Sequence, residues 1–105
     1  MLRIATWNIN SVRLRLGQVA RYEETTNPDV LALQEIKCRE GEFPRAGFTA
    51  FGFLHVASVG QKGWHGVAIA SRHPIEQVEA PDLCPRSEAR VVAVKVAGVE
   101  LHNLY

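Results

Sequence analysis

Residues 2–35 limit what this chain can fold into more than any other stretch. Leu2, Ile4 and Trp7 mark a short strand over residues 2–7 that runs out into polar Asn8-Ile9-Asn10. Ser11 is placed to cap a helix. Val12, Leu16, Val19 and Ala20 then recur at helical spacing, with Arg13, Arg15, Gln18 and Arg21 on the other sides. Asn27-Pro28 stops the helix, because a residue before proline is driven out of the α region. Val30-Leu31-Ala32-Leu33 is a continuous apolar run, the pattern of a strand covered on both faces, and it ends in Gln34-Glu35. Strand, helix and strand in this order predict a crossover with the two strands parallel. If those strands are neighbours, their C-terminal ends share one sheet edge, which gathers Asn8, Asn10 and Glu35. Ligand sites in open α/β sheets lie beyond such ends.

The remainder is more β-like. Residues 44–51 suggest a short helix, and residues 53–59 and 66–71 suggest strands flanking a Gly60-Gln61-Lys62-Gly63 turn. His73-Pro74 ends the second of these. Residues 79–88 read as a loop, and residues 90–96 and 99–105 as a hairpin turning at Ala97-Gly98. The fold class is α/β (α+β).

At 105 residues there is room for one domain around one core. A composition 47% hydrophobic and 22% charged is that of an ordinary folded soluble protein. The formal net charge is only +1, so any basic footprint for nucleic acid must be local. Cys38 and Cys84 lie far apart without metal-ligand spacing, which argues against a disulfide framework and for a reducing cytoplasm. No secretory leader is visible, and no apolar run approaches the roughly 20 residues of a membrane helix.

Glu35 is the first candidate for chemistry. A carboxylate ending an apolar strand is costly unless paired or bound to metal, and Asn8 could add an amide oxygen from the neighbouring strand. Magnesium takes hard oxygen ligands of this kind. The alternative is a solvated Glu35–Lys37 pair. Asn8 and Asn10 can equally be turn residues. Arg13 and Lys37 can grip phosphate or stand solvated. In Gly60-Gln61-Lys62-Gly63-Trp64-His65-Gly66, glycines permit close backbone approach, Lys62 offers a phosphate contact and Trp64 can stack on or wedge between bases. A hairpin with Trp64 packed inward and His65 in a local hydrogen bond is the other reading. Tyr105 can hold a phosphate oxygen or be a core or terminal aromatic.

Together these segments resemble a family. Thr6-Trp7-Asn8-Ile9-Asn10-Ser11-Val12-Arg13 resembles the opening motif of exonuclease III-type enzymes, and Leu33-Gln34-Glu35-Ile36-Lys37 resembles their metal-glutamate motif. The stretch from Gly60 to Ile69 is similar to their DNA-facing hairpin and the strand after it. Ser87-Glu88-Ala89-Arg90, followed by Leu101 to Tyr105, resembles the run into their active-site tyrosine. Order and spacing hold across essentially the whole chain. The family is the endonuclease/exonuclease/phosphatase superfamily, in its apurinic/apyrimidinic endonuclease branch.

The resemblance implies a four-layered αββα sandwich of which this chain carries only the first sheet and its helices. It implies that Glu35 and Asn8 hold Mg2+ (or Mn2+), that Asn10 helps arrange the site and that Tyr105 sits near the scissile phosphate. Arg13, Lys37, Gln61, Lys62, Trp64 and His65 are the implied DNA-binding residues. The implied activity is hydrolysis of duplex DNA 5′ to abasic sites and stepwise removal from 3′ ends, in base-excision repair, by a protein that is monomeric when complete. The family's Asp-x-Asn motif and Asp-His pair are missing, since the only aspartates are Asp29 and Asp82. Residues 1–105 are therefore expected to be the N-terminal portion of one domain, inactive alone. A phosphatase acting on lipid or sugar phosphates and a non-catalytic DNA- or partner-binding fragment are the alternatives.

Overall fold

The computed structural model describes residues 2–60, 66–79 and 90–105. Strand β1 (Ile4–Asn8) leads through a 3-10 turn (Val12–Leu14) into helix α1 (Leu16–Thr26), then strand β2 (Val30–Gln34). β1 and β2 are neighbours and parallel, with Asn8 opposite Gln34 at their C-terminal ends, as the crossover argument requires. Ser11 does not cap the helix: it adopts φ +81° without a side-chain cap bond, and the helix starts five residues later. Asn27 ends α1 in the left-handed region, donating its N–H to Glu23 O (2.8 Å).

The short helix appears as α2 (Arg45–Ala50), and the two strands as β3 (His55–Gly60) and β4 (Gly66–Ser71). β5 (Ile75–Val78) is a strand the sequence pattern does not announce, because four residues are too few for an alternation to register. β6 (Val91–Val96) and β7 (Val99–Leu104) form the expected hairpin, turning on Ala97 (φ +49°) and Gly98 (φ +81°). Two positive φ values in succession suit the right-handed twist of a hairpin.

The strands divide between two sheets, ordered β1-β2-β4-β3 and β5-β6-β7. The expectation of only the first sheet with its helices is corrected here. The inward side chains of β6 cannot stand open to water, and they close on the first sheet instead. Val92, Val94 and Val96 pack on Val30, Ala57, Val67 and Ile69. Each fully buried aliphatic side chain contributes about 1.5–3 kcal/mol, enough to hold three strands against four.

The other face of the first sheet carries α1 and α2 over a core of Leu31, Leu33, Val19, Phe43, Phe48 and Phe53. β2 is thus covered on both faces, as its unbroken apolar run foretells. Cys38 is a buried free thiol in this core, and burial pushes its pKa up; Cys84 lies outside the described residues. Among the described residues no helix is long and apolar enough to cross a membrane.

Candidate active site at the strand ends

The parallel β1–β2 pair brings Asn8 and Glu35 together. Asn8 Nδ2 donates to Glu35 Oε1 at 3.2 Å. Beyond Gln34 the strands stop being regular but stay joined: the N–H groups of Ile9, Ser11 and Val12 donate to the carbonyls of Gln34, Glu35 and Ile36 (3.0, 2.8 and 3.1 Å). Keeping those bonds while turning away from the sheet forces unusual backbone. Asn10, Ser11, Glu35 and Lys37 all have positive φ, between 47° and 81°. Such conformations cost about 1–3 kcal/mol each for residues other than glycine, and they collect where a side chain has to be aimed. Glu35, half-buried, is the first residue past the end of β2.

A third group arrives from the second sheet. Tyr105 follows β7, and its hydroxyl donates a hydrogen bond to the Glu35 carboxylate. That bond and the neighbouring negative charge hold the phenol above its ordinary pKa, although the residue is 42% exposed. Arg90 steadies the other end of the residue. Its carbonyl accepts from Tyr105 N–H (2.8 Å) and its guanidinium lies 5.2 Å from the ring centroid. Tyr105 is therefore not a core aromatic: its ring is exposed and its hydroxyl meets a carboxylate.

The remaining expected residues fall into three groups. Asn10 is exposed at a left-handed position next to the site, in the turn role weighed for it. Arg13 is committed to protein: Nη2 donates to Lys37 O (3.2 Å) and Nη1 lies 3.5 Å from Glu42 Oε2. It ties the loop after β1 to the loop after β2, with half its side chain exposed. Lys37 sits two residues past Glu35, half-buried. Gln61, Lys62, Trp64 and His65 lie outside the described residues. Their flanking residues Gly60 and Gly66 pair with each other, and Gly66 O accepts from Ile36 N–H (3.1 Å), which puts this end of the β3–β4 pair beside the site.

Sequence reasoning passed over Gln34 and Asn103. Asn103 is 3% exposed, and its amide bonds to Gln34, Leu33 and Ala68. The available signal was its place in β7: an amide at the inward position after Leu101, where the alternation calls for another apolar side chain.

As a donor set, Asn8 and Glu35 offer one amide oxygen and one carboxylate. The amide nitrogen now faces Glu35, but amide orientation is assigned from the bonding network, and turning it over presents Oδ1 beside the carboxylate. Hard oxygen donors of this kind suit Mg2+ or Mn2+, which keep several positions for water and phosphate. Among the described residues no three His, Cys, Asp or Glu side chains cluster.

A profile of the Endonuclease/Exonuclease/phosphatase family matches residues 5–101. Exodeoxyribonuclease III of Haemophilus influenzae is 38% identical over 71 residues, which make up 68% of this chain and 26% of that protein. The structure of an AP endonuclease from Archaeoglobus fulgidus superposes on all of this chain with a TM-score of 0.90 at 42% identity. The 3′ phosphatase NExo from Neisseria, bound to a product DNA hairpin, superposes on all of it with a TM-score of 0.87 at 38% identity. The chain covers 41% of each of those two structures.

Proposed function

Because this chain belongs to the Endonuclease/Exonuclease/phosphatase family, we propose that Asn8, Glu35 and Tyr105 form one side of a phosphodiester-hydrolysing centre that acts on duplex DNA. One observation carries the reading: three polar side chains from three strand ends, belonging to two different sheets, are linked through a single carboxylate. A structural role alone does not call for that carboxylate to be set on strained backbone at a sheet edge.

Glu35 and Asn8 would hold the divalent cation, Mg2+ or Mn2+, whose contribution is to neutralise charge developing on the phosphate. Tyr105 donates its O–H to a non-bridging phosphate oxygen once substrate displaces Glu35 as its acceptor. Arg13 holds the two site loops together and leaves part of its guanidinium toward the DNA backbone. Lys37, with Gln61, Lys62, Trp64 and His65 of the β3–β4 connection, supplies phosphate and groove contacts, so affinity falls as salt rises. The substrates are abasic sites, cut on the 5′ side to leave a 3′-hydroxyl, and 3′ ends. The relatives that support this choice are an AP endonuclease, an exodeoxyribonuclease III and a 3′ phosphatase carrying a DNA hairpin. The rest of the domain supplies the groups that activate water, and the 105 residues alone turn over nothing.

The test is a duplex with a single abasic site, incubated with Mg2+ and the full-length protein. Strand cleavage that EDTA abolishes and that Glu35→Ala removes is the expected result. Cleavage that survives Glu35→Ala overturns the metal assignment, and hydrolysis of lipid or sugar phosphates without DNA cleavage overturns the substrate. Cleavage by residues 1–105 alone overturns their inactivity.

A further inference from the structure

Tyr105 and Glu35 meet although they stand on different sheets, and nothing in either sheet's own hydrogen bonding sets that distance. We propose that Asn103 is the positioning residue that sets it, by clamping the end of β7 onto the ends of β2 and β4. The proposal deepens the reading of the site above and rests on it.

The Asn103 amide uses three of its bonding positions on three partners. Nδ2 donates to Leu33 O (2.9 Å) and Ala68 O (2.8 Å), carbonyls of two residues that face each other across β2 and β4. Oδ1 accepts from Gln34 Nε2 (2.7 Å). Gln34 Nε2 also reaches Thr6 Oγ1 (2.9 Å) on β1 and Ala32 O (3.1 Å). Turning the Asn103 amide over would set its oxygen against two carbonyl oxygens, so the network allows one orientation.

Its position explains why it bears on the site. Asn103 lies two residues before Tyr105, Gln34 one before Glu35 and Thr6 two before Asn8. Just behind the site, Gln34 on β2 therefore bonds both to β1 through Thr6 and to β7 through Asn103. A leucine at 103 would fill the same volume and keep β7 packed. It would leave Leu33 O and Ala68 O without their donor from β7, and β7 free to shift along the first sheet. Sub-ångström control of a reacting group matters far more to turnover than to binding.

The test compares full-length wild type with Asn103→Leu, checked for cooperative melting, in the abasic-site assay. The expected result is a kcat lower by about tenfold or more with KM within about twofold, since the DNA contacts assigned to Arg13, Lys37 and the β3–β4 connection are untouched. A second readout needs no activity. With tyrosine labelled by 13C at Cζ and the signal assigned by Tyr105→Phe, the Tyr105 resonance at neutral pH should move in Asn103→Leu. Gln34→Leu should move it the same way but less, because Asn103 keeps its two carbonyl bonds. A folded Asn103→Leu protein with wild-type kcat and an unmoved Tyr105 signal overturns the proposal. If Asn103→Leu does not fold, an unmoved signal in Gln34→Leu overturns it. If wild type cleaves no DNA, the reading of the site fails, and the Tyr105 signal still decides the clamp.

Discussion

The two ends of the first sheet are both rich in polar side chains, yet they are built differently. At the end where β2 begins, polar groups are spent on the protein itself. Arg72 donates to Phe51 O (2.8 Å) and Pro28 O (2.9 Å), lies 4.3 Å from the Phe53 ring centroid and faces Glu23 at 3.8 Å. Asp29 accepts from Arg3 N–H (2.7 Å) and pairs with His73 (3.1 Å). At the other end Asn8 and Tyr105 both bond to the side chain of Glu35, which stands on backbone at positive φ. Groups bonded to backbone carbonyls lock elements together. Groups bonded to each other at an exposed edge can exchange those bonds for a ligand. Polarity alone does not separate a site from a scaffold; the identity of the acceptors does.

The sharpest way to break this contrast is to delete one group at each end. Glu35→Ala should lower DNA cleavage by at least ~1,000-fold, because the proposed metal ligand and the acceptor of Tyr105 go together, while the melting curve stays near wild type; cleavage rates and calorimetry read both. Arg72→Ala should do the reverse. Losing two hydrogen bonds to carbonyls and the stacking on Phe53 costs about 2–4 kcal/mol, seen as a lower urea midpoint, with kcat unchanged in the folded fraction. Loss of turnover in Arg72→Ala under conditions where it is folded would erase the distinction between the two ends.

Each end also holds one glycine at positive φ under a neighbour. A Cβ on Gly66 (φ +116°) would meet Ile36 Cγ1 at 2.6 Å, and one on Gly52 (φ +96°) would strike the Arg72 guanidinium. Gly66→Ala should cost about 1–3 kcal/mol and, because Ile36 adjoins Glu35, should also depress kcat. Gly52→Ala should lower the melting temperature with kcat unchanged. Paired melting and kinetic measurements on the two variants check this.

The smallest effect concerns pH. The Arg3 N–H, then His73, holds the Asp29 carboxyl below its usual 3.8. A depressed pKa means that the folded state favours the ionised form. Its contribution is complete above the unfolded value and fades as pH falls below 3.8 through the folded value. Asp29→Asn should therefore lower the urea midpoint at neutral pH, and the gap to wild type should close on acidification through that window. A gap of constant size would show that the carboxylate charge is not what stabilises this end.

Much of this was legible in the chain. The run at residues 30–33 announced a strand covered on both faces, and Asn27-Pro28 announced the end of α1, because burial and proline sterics act locally. Adjacent parallel strands then placed Asn8 by Glu35. Ser11 misled, since a good capping residue was drawn instead into the irregular pairing with Glu35 O. Arg13 was legible as a cation near the site, but its use in joining two loops depends on Glu42 and Lys37 O, which spacing does not locate.

What the sequence determined by itself was local: which segments become strands and helices, and which polar residues end them, because periodicity, caps and breakers act within a few residues. The tertiary structure decided the division into two sheets and the meeting of Tyr105 with Glu35. Those rest on the burial of β6 valines against β4 and on an Asn103–Gln34 bond that spans 69 residues. Such contacts form only after the intervening chain has been ordered, at an entropic cost that no local pattern records.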